Sequence, residues 1–338
     1  MTTHPTIADV ARAAGVSVTT VSHALNDKGR VDPETRERIA QVVARLGYRA
    51  NRHARGLRSG RSGSIALLLP LGLDASTDEV LSLDFYLKIA SVAAATAFAR
   101  EQALMLLPPT ITATGLRGLA VDGGIVVDPS PRDQRVTLLR DLDLPVVTVE
   151  RDLGRPDDAC YVATHAEANT RIILDHLAAR GARRIALLAP MSDWGWVTES
   201  VGAYRSWTAE HGLPELIVPV AMRPGEQSAY DATSRLLASD PPDGVLPLAA
   251  RFVRGTLRAA RVAGCRVPGD VLIAAGVDCA DARDGDPPVT ALDLHPELQA
   301  AAAVEMLLGL IDGTPTPAPR HVSATLRTRA STGGRPTD

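Results

Sequence analysis

Residues 6–26 read TIADVARAAGVSVTTVSHALN, and this segment decides the fold of the N-terminal end of the chain. Thr6 stands at a helix N-cap position and Asp9 follows three residues later, which is the capping-box pattern. Gly15 tolerates the positive φ of a tight turn, and Ser17 is placed to cap a second helix. The segment therefore predicts two short helices joined by a turn, whose inward-facing positions recur at helical spacing: Ile7, Val10, Ala11, Ala14, Val21, Ala24 and Leu25.

The outer face of the second predicted helix carries only small or polar side chains, namely Val18, Thr19, Thr20, Ser22 and His23. Such groups suit the base edges and phosphates of a DNA major groove. A plain helical hairpin is the alternative interpretation, but the caps, the turn glycine and the uncluttered outer face coincide here. The pattern therefore predicts a helix-turn-helix that binds double-stranded DNA.

A third helix and a linker follow. Asp32 as N-cap, Pro33 at the first helical position and Gly47 after the last turn predict a helix that completes a DNA-binding head over residues 1–48. Residues 49–62 contain five arginines and one large apolar residue, so they are predicted to be a hinge or linker. Within it a helix as short as 52–58, capped by Asn51, would be unstable alone and would form only against DNA and a second copy of itself.

The charge of the chain is unevenly distributed. The net charge is −3, yet residues 1–62 carry 11 Lys and Arg against 5 Asp and Glu. The remaining residues carry 25 against 34. A basic head on an acidic body fits a protein whose small end meets phosphate and whose large end does not.

Composition excludes several classes of protein. At 338 residues the chain can hold two or three domains with sizeable cores. It has no run of 18 apolar residues and no secretory signal pattern, so we expect no membrane partner and a cytoplasmic, nucleoid-associated protein. Its three cysteines, Cys160, Cys265 and Cys279, are scattered without metal-ligand spacing, and no nucleotide-binding fingerprint is present. We therefore expect no metal and no cofactor.

From residue 64 the chain alternates apolar strands with helices, which is typical of parallel sheets covered on both faces. Predicted strands cover residues 65–69, 103–107, 123–127, 146–149, 185–188, 217–220, 244–248 and 272–277. Predicted helices cover residues 85–100, 165–180, 203–211, 255–263 and 296–311. The predicted fold class is an all-α helix-turn-helix head plus an α/β body of two doubly wound parallel-sheet lobes.

The chain resembles the LacI/GalR family of bacterial transcriptional regulators over essentially its whole length. Besides residues 6–26, the resemblance rests on VDPETRERI at 31–39, LGYRAN at 46–51, VDGGI at 121–125, LPVV at 144–147, HLAARGARRIAL at 176–187, VPGDV at 267–271 and GVD at 276–278. It implies a body like a periplasmic sugar-binding protein, with one lobe at 63–163 and 293–320 and the other at 164–292 and 321–330. It also implies a homodimer and a small-molecule effector between the lobes. We expect residues 331–338 to be a disordered tail, and the absence of leucine heptads there favours a dimer.

The resemblance also implies roles for individual residues of the head and hinge. Val18, Thr19 and His23 fall on the family's base-reading positions, and Leu57 falls on its leucine wedge, which enters the minor groove and kinks the duplex. Ala50 stands where the family usually has proline, so the hinge helix would begin less rigidly. The predicted DNA-binding set is Thr6, Ser17, Val18, Thr19, Thr20, Ser22, His23, Asn26, Asn51, Ala54 and Leu57.

The family's polar effector-binding positions are mostly lost. They fall here on His165, Ala166, Ser200, Ala249, Ala250 and Asp278, of which only the aspartate keeps the family's residue type. Four aromatic residues lie near the expected cleft, and they are Phe85, Tyr86, Trp194 and Trp196. We therefore expect a flatter or more apolar effector than a typical sugar, bound by these four residues with His165, Ser200 and Asp278. Alternatively, the aromatic residues are ordinary core residues.

The functional prediction is a ligand-controlled repressor that binds a palindromic operator as a homodimer. A DNA-binding regulator with no effector is the first alternative. A solute-binding protein or an enzyme on the same lobes is less favoured, because neither needs a basic helix-turn-helix and no catalytic motif is present. We expect the chain not to be an enzyme.

Overall fold

The computed structural model describes residues 5–25, 29–48, 61–70, 84–108, 110–315 and 318–333. The chain divides into two compact units, Met1–Gly63 and Ser64–Asp338. They are called the head and the body below. None of the described helices is long and apolar enough to cross a membrane.

The described part of the head contains three helices: α1 Ile7–Ala14, α2 Val18–Leu25 and α3 Pro33–Leu46. The predicted capping box is present, because the Asp9 amide donates to Thr6 Oγ1 at 3.3 Å and the Thr6 amide donates to Asp9 Oδ2 at 2.9 Å. Gly15 ends α1 with a φ of 66°, and Gly47 ends α3 with a φ of 61°. These local signals account for the bounds of the helices.

A small apolar core holds the head together. Its buried members come from all three helices, and they are Val10, Ala11, Ala14, Val21, Ile39 and Val42. Leu25 was predicted to face inward, but 37% of its surface is exposed. It is the last residue of α2, and only Val21 and the half-buried Ala24 of that helix reach the core.

The first lobe of the body is built on a six-stranded parallel sheet within the described residues. Its strand order is β11-β5-β4-β3-β1-β2. The strands are β1 Ser64–Leu68, β2 Ala103–Leu107, β3 Gly124–Val127, β4 Val146–Val149, β5 Tyr161–Thr164 and β11 Arg320–Val322. The helices that accompany it are α4 Asp84–Ala99, α5 Ala113–Leu119, α6 Gln134–Arg140 and α12 Pro296–Ile311.

The second lobe repeats this architecture. Its described strands have the order β12-β10-β9-β8-β6-β7, parallel except for the antiparallel edge strand β12. They are β6 Ile185–Pro190, β7 Ile217–Val220, β8 Gly244–Pro247, β9 Leu272–Ala275, β10 Thr290–Asp293 and β12 Thr325–Arg327. The helices are α7 Ala166–Ala179, α8 Gly195–Glu210, α9 Gly225–Ser239, α10 Ala250–Val262 and α11 Ala280–Arg283. The predicted fold class is confirmed.

The chain passes between the lobes three times within the described residues. It leaves the first sheet after β5, returns from β10 to α12, and crosses again between β11 and β12. Continuous apolar runs such as Ile65–Leu69 are fully buried, as expected for strands covered on both faces.

The predicted disordered tail at 331–338 is wrong at its beginning. Residues Ala330–Thr332 form a 3-10 helix in which Ser331 and Thr332 are buried. Ser331 Oγ donates to the Ile273 carbonyl at 2.6 Å and accepts from the Thr290 amide at 2.9 Å. These bonds to β9 and β10 hold the segment in the second lobe, and a compositional argument cannot foresee them.

Candidate functional site

The outer face of α2 presents all three predicted base-reading side chains to solvent. Val18 is 41% exposed, and Thr19 and His23 are also exposed. Thr20 and Ser22, predicted to hold phosphates, are half-buried. An exposed valine on a short helix leaves apolar surface in water unless a partner covers it.

Two residues of the predicted DNA-binding set act as helix caps. Thr6 caps α1, as described above, and Ser17 Oγ accepts from the Thr20 amide at 3.0 Å. Their hydroxyl groups are therefore engaged within the head. Asn26, Asn51, Ala54 and Leu57 lie outside the described residues.

The ring of His23 lies against a turn glycine. Gly29 has a φ of 71°, and a Cβ added there would lie 2.8 Å from His23 Nδ1. The backbone conformation of Gly29 favours glycine there, and a Cβ would also require the exposed imidazole of His23 to shift.

The body encloses a cavity of about 810 Å³, including space open to solvent, between the two lobes. All four aromatic residues expected there, Phe85, Tyr86, Trp194 and Trp196, line it. Tyr86 and Trp194 are also buried members of the first lobe's core, while Phe85 and Trp196 pack on that core half-buried. These residues therefore both line the cavity and pack in or against the core of the first lobe.

The aromatic wall is placed by α4 and α8. Trp194 is the N-cap residue of α8 and Trp196 lies in its first turn, although the sequence predicted a loop here. The helix begins without a side-chain cap, so the usual start signal is missing. Trp194 and Trp196 lie with ring centroids 5.9 Å apart.

Two buried acids that sequence reasoning missed line the same cavity. Asp128 directly follows β3 and Glu150 directly follows β4, with positive φ values of 44° and 72°. Tyr86 Oη donates to Asp128 Oδ2 at 2.6 Å. Glu150 Oε1 accepts from the amide and the hydroxyl of Thr164, both at 3.0 Å. Left-handed backbone at two non-glycine residues is costly, and such strain clusters at functional sites.

Burial changes the protonation of both acids. Burial raises the pKa of Asp128 to about 6, against the opposing effect of its hydrogen bond from Tyr86. Burial also raises the pKa of Glu150 to about 8, against the opposing hydrogen bonds from Thr164, and the negative charges of Asp128 and Glu199 add to the rise. At neutral pH Asp128 is therefore mostly ionised and Glu150 mostly neutral.

A usable signal for these acids exists in the sequence. Both follow predicted strands directly, at 123–127 and 146–149, and ligands of α/β folds bind beyond the carboxyl ends of parallel strands. Asp128 and Glu150 do not coincide with the polar positions that the family resemblance implies, so the resemblance does not point to them. Asn169, Thr164 and Arg251 also line the cavity and were missed.

Of the other predicted effector residues, the structure brings only Ser200 to the cavity, together with the replaced positions Ala166, Ala249 and Ala250. His165 does not line it, because its exposed ring stacks on His321 with centroids 4.2 Å apart. Asp278 does not line it either, because Oδ2 accepts from Arg329 Nη2 at 2.9 Å. The assignment of these two residues to the cavity is therefore corrected.

Polar contacts join the two lobes beside the cavity. They are Asp84 to the Ala280 amide at 2.9 Å, Ser130 Oγ to Asp193 Oδ1 at 3.0 Å, and Arg151 Nη1 to Glu199 Oε1 at 2.8 Å. Asp84 also pairs with Arg283. Among the described residues no cluster of His, Cys, Asp and Glu is arranged to hold a metal ion.

Comparison with known protein families matches both units. Residues 6–51 match the lacI family of bacterial regulatory proteins, and residues 174–332 match the periplasmic binding protein-like domain. The transcriptional regulator CelR of Thermobifida fusca is 28% identical over 95% of this chain and 96% of its own length. The transcriptional regulator AglR of Rhizobium meliloti is 30% identical over 80% of this chain and 76% of its own length. Both relatives are regulators and not enzymes.

Solved structures of transcriptional regulators are also similar to this chain. A complex of the regulator CelR with cellobiose is 27% identical, covers 97% of this chain and 99% of its own, and superimposes with a TM-score of 0.73. The lac repressor dimer bound to operator and the anti-inducer ONPF shares the fold, with a TM-score of 0.83, 22% identity, and coverage of 98% and 99%. The chain belongs to the LacI family of DNA-binding bacterial transcriptional regulators.

Proposed function

We propose that the protein is a repressor that binds a palindromic operator as a homodimer and is controlled by a small molecule in the cavity between its lobes. The observation that carries this proposal is the exposed row Val18, Thr19 and His23 on α2, in a chain whose body encloses a cavity lined by aromatic and acidic residues. A cytoplasmic location at the nucleoid follows from the proposed DNA partner.

Ligand control would act through closure of the lobes. The two walls of the cavity come from different lobes, so a ligand that contacts both would favour one lobe arrangement over another. We propose that this arrangement governs the pairing of two hinge segments, residues 49–62, in the dimer. Whether the ligand releases or tightens the grip on DNA depends on which arrangement allows that pairing.

The direct test is binding of the full-length protein to the DNA upstream of its own gene, followed by fluorescence anisotropy. We expect a steep loss of affinity as salt concentration rises, because phosphate contacts release counterions. A flat salt response, or equal affinity for unrelated DNA, would contradict operator binding.

A substitution at His23 tests base reading by α2. We expect His23→Ala to weaken operator binding by about 1–3 kcal/mol and to relax the preference at one base pair of each half-site, because one base-edge contact is lost. Competition with operators mutated at single positions measures both effects. The body variant Glu215→Gln serves as control, since this exposed residue only pairs with Arg205 on the body surface. An unchanged base preference would remove His23 from the reading set.

A substitution in the hinge tests the wedge. We expect Leu57→Ala to reduce DNA bending and to weaken operator binding by about 1–3 kcal/mol, because the apolar wedge that unstacks the central base step is lost. Energy transfer between dyes at the two ends of the operator reports the bend. Wild-type bending by the variant would show that Leu57 is not the wedge.

A further inference from the structure

We propose that the ligand of the inter-lobe cavity carries a positively charged nitrogen on an apolar or aromatic body, with the nitrogen held by Asp128 and Glu150 against the rings of Trp194 and Trp196. This inference rests on the proposed function, since it names the ligand class of that same cavity. It departs from the neutral sugar in the CelR–cellobiose complex.

The two acids stand side by side at the rim of one sheet. Strands β3 and β4 pair in parallel with Val127 opposite Val149, so the next residue of each strand, Asp128 or Glu150, occupies the equivalent position. The Asp128 amide donates to the Val149 carbonyl at 2.9 Å, which continues the ladder to this point. Both side chains line the cavity, and both residues are at least 95% buried, with exposed fractions of 4% and 5%.

No basic side chain among the described residues forms an ion pair with either carboxyl group. Asp128 accepts from Tyr86, and Glu150 accepts from Thr164. The nearby guanidinium of Arg135 donates to Asp133 and to main-chain carbonyls instead. At neutral pH the one charge of this pair, on Asp128, has no ion-pair partner among the described residues, although the charge of Arg135 acts on it, and a bound cation would pair with it.

The aromatic wall supplies the second requirement of a cation site. Ammonium groups bind over the faces of tryptophan rings, and this attraction increases when water is excluded. Trp194 is 3% exposed and Trp196 half-buried, so both faces lie largely out of water. The apolar remainder of the ligand would lie against Phe85 and Met222.

An unpartnered amide offers a further contact to the ligand. Asn169 is 6% exposed and lines the cavity, and its Nδ2 has no hydrogen-bond partner among the described residues. Buried donors are rarely left unsatisfied. The ligand would therefore also present an acceptor oxygen or nitrogen to this amide.

Proton release on binding distinguishes a cationic ligand from a neutral polyol. Glu150 faces Asp128 and Glu199, and Arg251 lies on the wall of the same cavity, while Glu199 itself pairs with Arg151. A cation would favour the ionised form of Glu150, whose pKa is raised to about 8 without it, so binding would expel a proton. Affinity for a cation should then rise with pH up to this value. A neutral sugar can bond to either form of the carboxyl group and should show little such dependence.

The experiment uses three probes on the full-length protein: 2-phenylethylamine, its uncharged counterpart 2-phenylethanol, and cellobiose. Binding is followed by tryptophan fluorescence and by calorimetry in two buffers of different ionisation heat, below and above the pKa of about 8 of Glu150. We expect the amine to bind at least about tenfold more tightly than the alcohol and to release a proton below that pKa. The amine itself stays protonated in this range, as lysine does.

The variant Glu150→Gln should bind the amine less tightly than wild type and release fewer protons on binding, because only Asp128 and the tryptophan rings remain to hold the nitrogen. The control Glu215→Gln should behave as wild type. Thermal unfolding confirms that both variants are folded. Cellobiose or phenylethanol binding as tightly as the amine, or no amine binding at millimolar concentration, overturns the ligand class. Operator binding that responds to cellobiose would overturn it while leaving the proposed function intact. Amine binding without operator binding would support the ligand class and overturn the proposed function.

Discussion

Replacing the buried Arg135 with methionine is expected to lower the free energy of unfolding of the body by about 3–5 kcal/mol, because it leaves a buried charge without its partner. Arg135 is 2% exposed and lies on α6. Its guanidinium donates to both carboxylate oxygens of Asp133, at 3.0 and 2.8 Å. It also donates to four main-chain carbonyls at the ends of β1 and β3, those of Leu68, Leu69, Val127 and Asp128.

Methionine fills a similar volume but donates no hydrogen bond, so Asp133 loses its ion pair and the four carbonyls lose a donor. Urea titration followed by tryptophan fluorescence measures the loss. Arg140→Met is the matched control on the same helix, because Arg140 is 44% exposed and pairs with Asp158 at the surface. The control should cost no more than about 1 kcal/mol. Equal losses from the two variants would show that the buried contacts of Arg135 contribute no more to the free energy of unfolding than a surface ion pair does.

Replacing Glu150 with glutamine is expected to stabilise the body, and to do so increasingly as pH rises. The folded pKa of Glu150 is about 8, above the ordinary value of 4.5, so the folded state holds its proton more tightly than the unfolded state. Stability contributed by this group is therefore present below pH 4.5 and is lost as pH rises towards 8. Glutamine does not ionise and escapes this loss.

The difference between variant and wild type should grow to a few kcal/mol, since each pKa unit corresponds to about 1.4 kcal/mol. Urea titrations at pH values from below 4.5 to above 8 measure the difference. Glu215→Gln, at an exposed site, should give a difference that does not grow in this range. A wild-type protein that gains stability over the variant with rising pH would contradict a buried, proton-retaining Glu150. Stabilisation together with weakened amine binding would show that the cavity keeps this acid for its ligand and at a cost in stability.

An element could be predicted from the sequence when the residues that stabilise it lie close together in the chain. The head could be predicted almost fully, because Thr6, Asp9, Gly15, Asp32 and Gly47 act on their own helices through bonds spanning three or four residues. The prediction that Leu25 faces inward was wrong for the same reason, since the last residue of a helix is buried only if another element covers it. Strand and helix alternation in the body was likewise visible in apolar runs.

Elements without such local signals were missed. Helix α9 begins at Gly225 without a side-chain cap and buries only small residues: Gly225, Ala229, Ala232 and Thr233. It packs closely on α10, where a Cβ at Gly255 would lie 2.1 Å from the Glu226 carbonyl. The edge strands β11 and β12 have three residues each, too few to show a period. Their existence depends on partners far away in the chain.

The location of the cavity could be predicted, but part of its predicted set of lining residues was wrong, and the cause again was contacts between distant parts of the chain. The aromatic residues were identified because they are scarce in this chain. The acids each follow a predicted strand directly, which is a usable signal, but their juxtaposition comes from the pairing of those two strands in register, which no local pattern shows. His165 and Asp278 were assigned by position alone, and the side chains that contact them, His321 and Arg329, come from the last part of the chain.

The three passages between the lobes have a consequence for synthesis. Strand β11 completes the edge of the first sheet and β12 completes the edge of the second, and both come from residues 320–327. On the ribosome, therefore, neither lobe can reach its final sheet before these residues have emerged, even though most strands of the first lobe are made long before. Until then the edges of both sheets remain unpaired in the nascent chain, and such edges are sites for pairing with other chains. A stop codon shortly before residue 320 would leave both lobes in that exposed state at once.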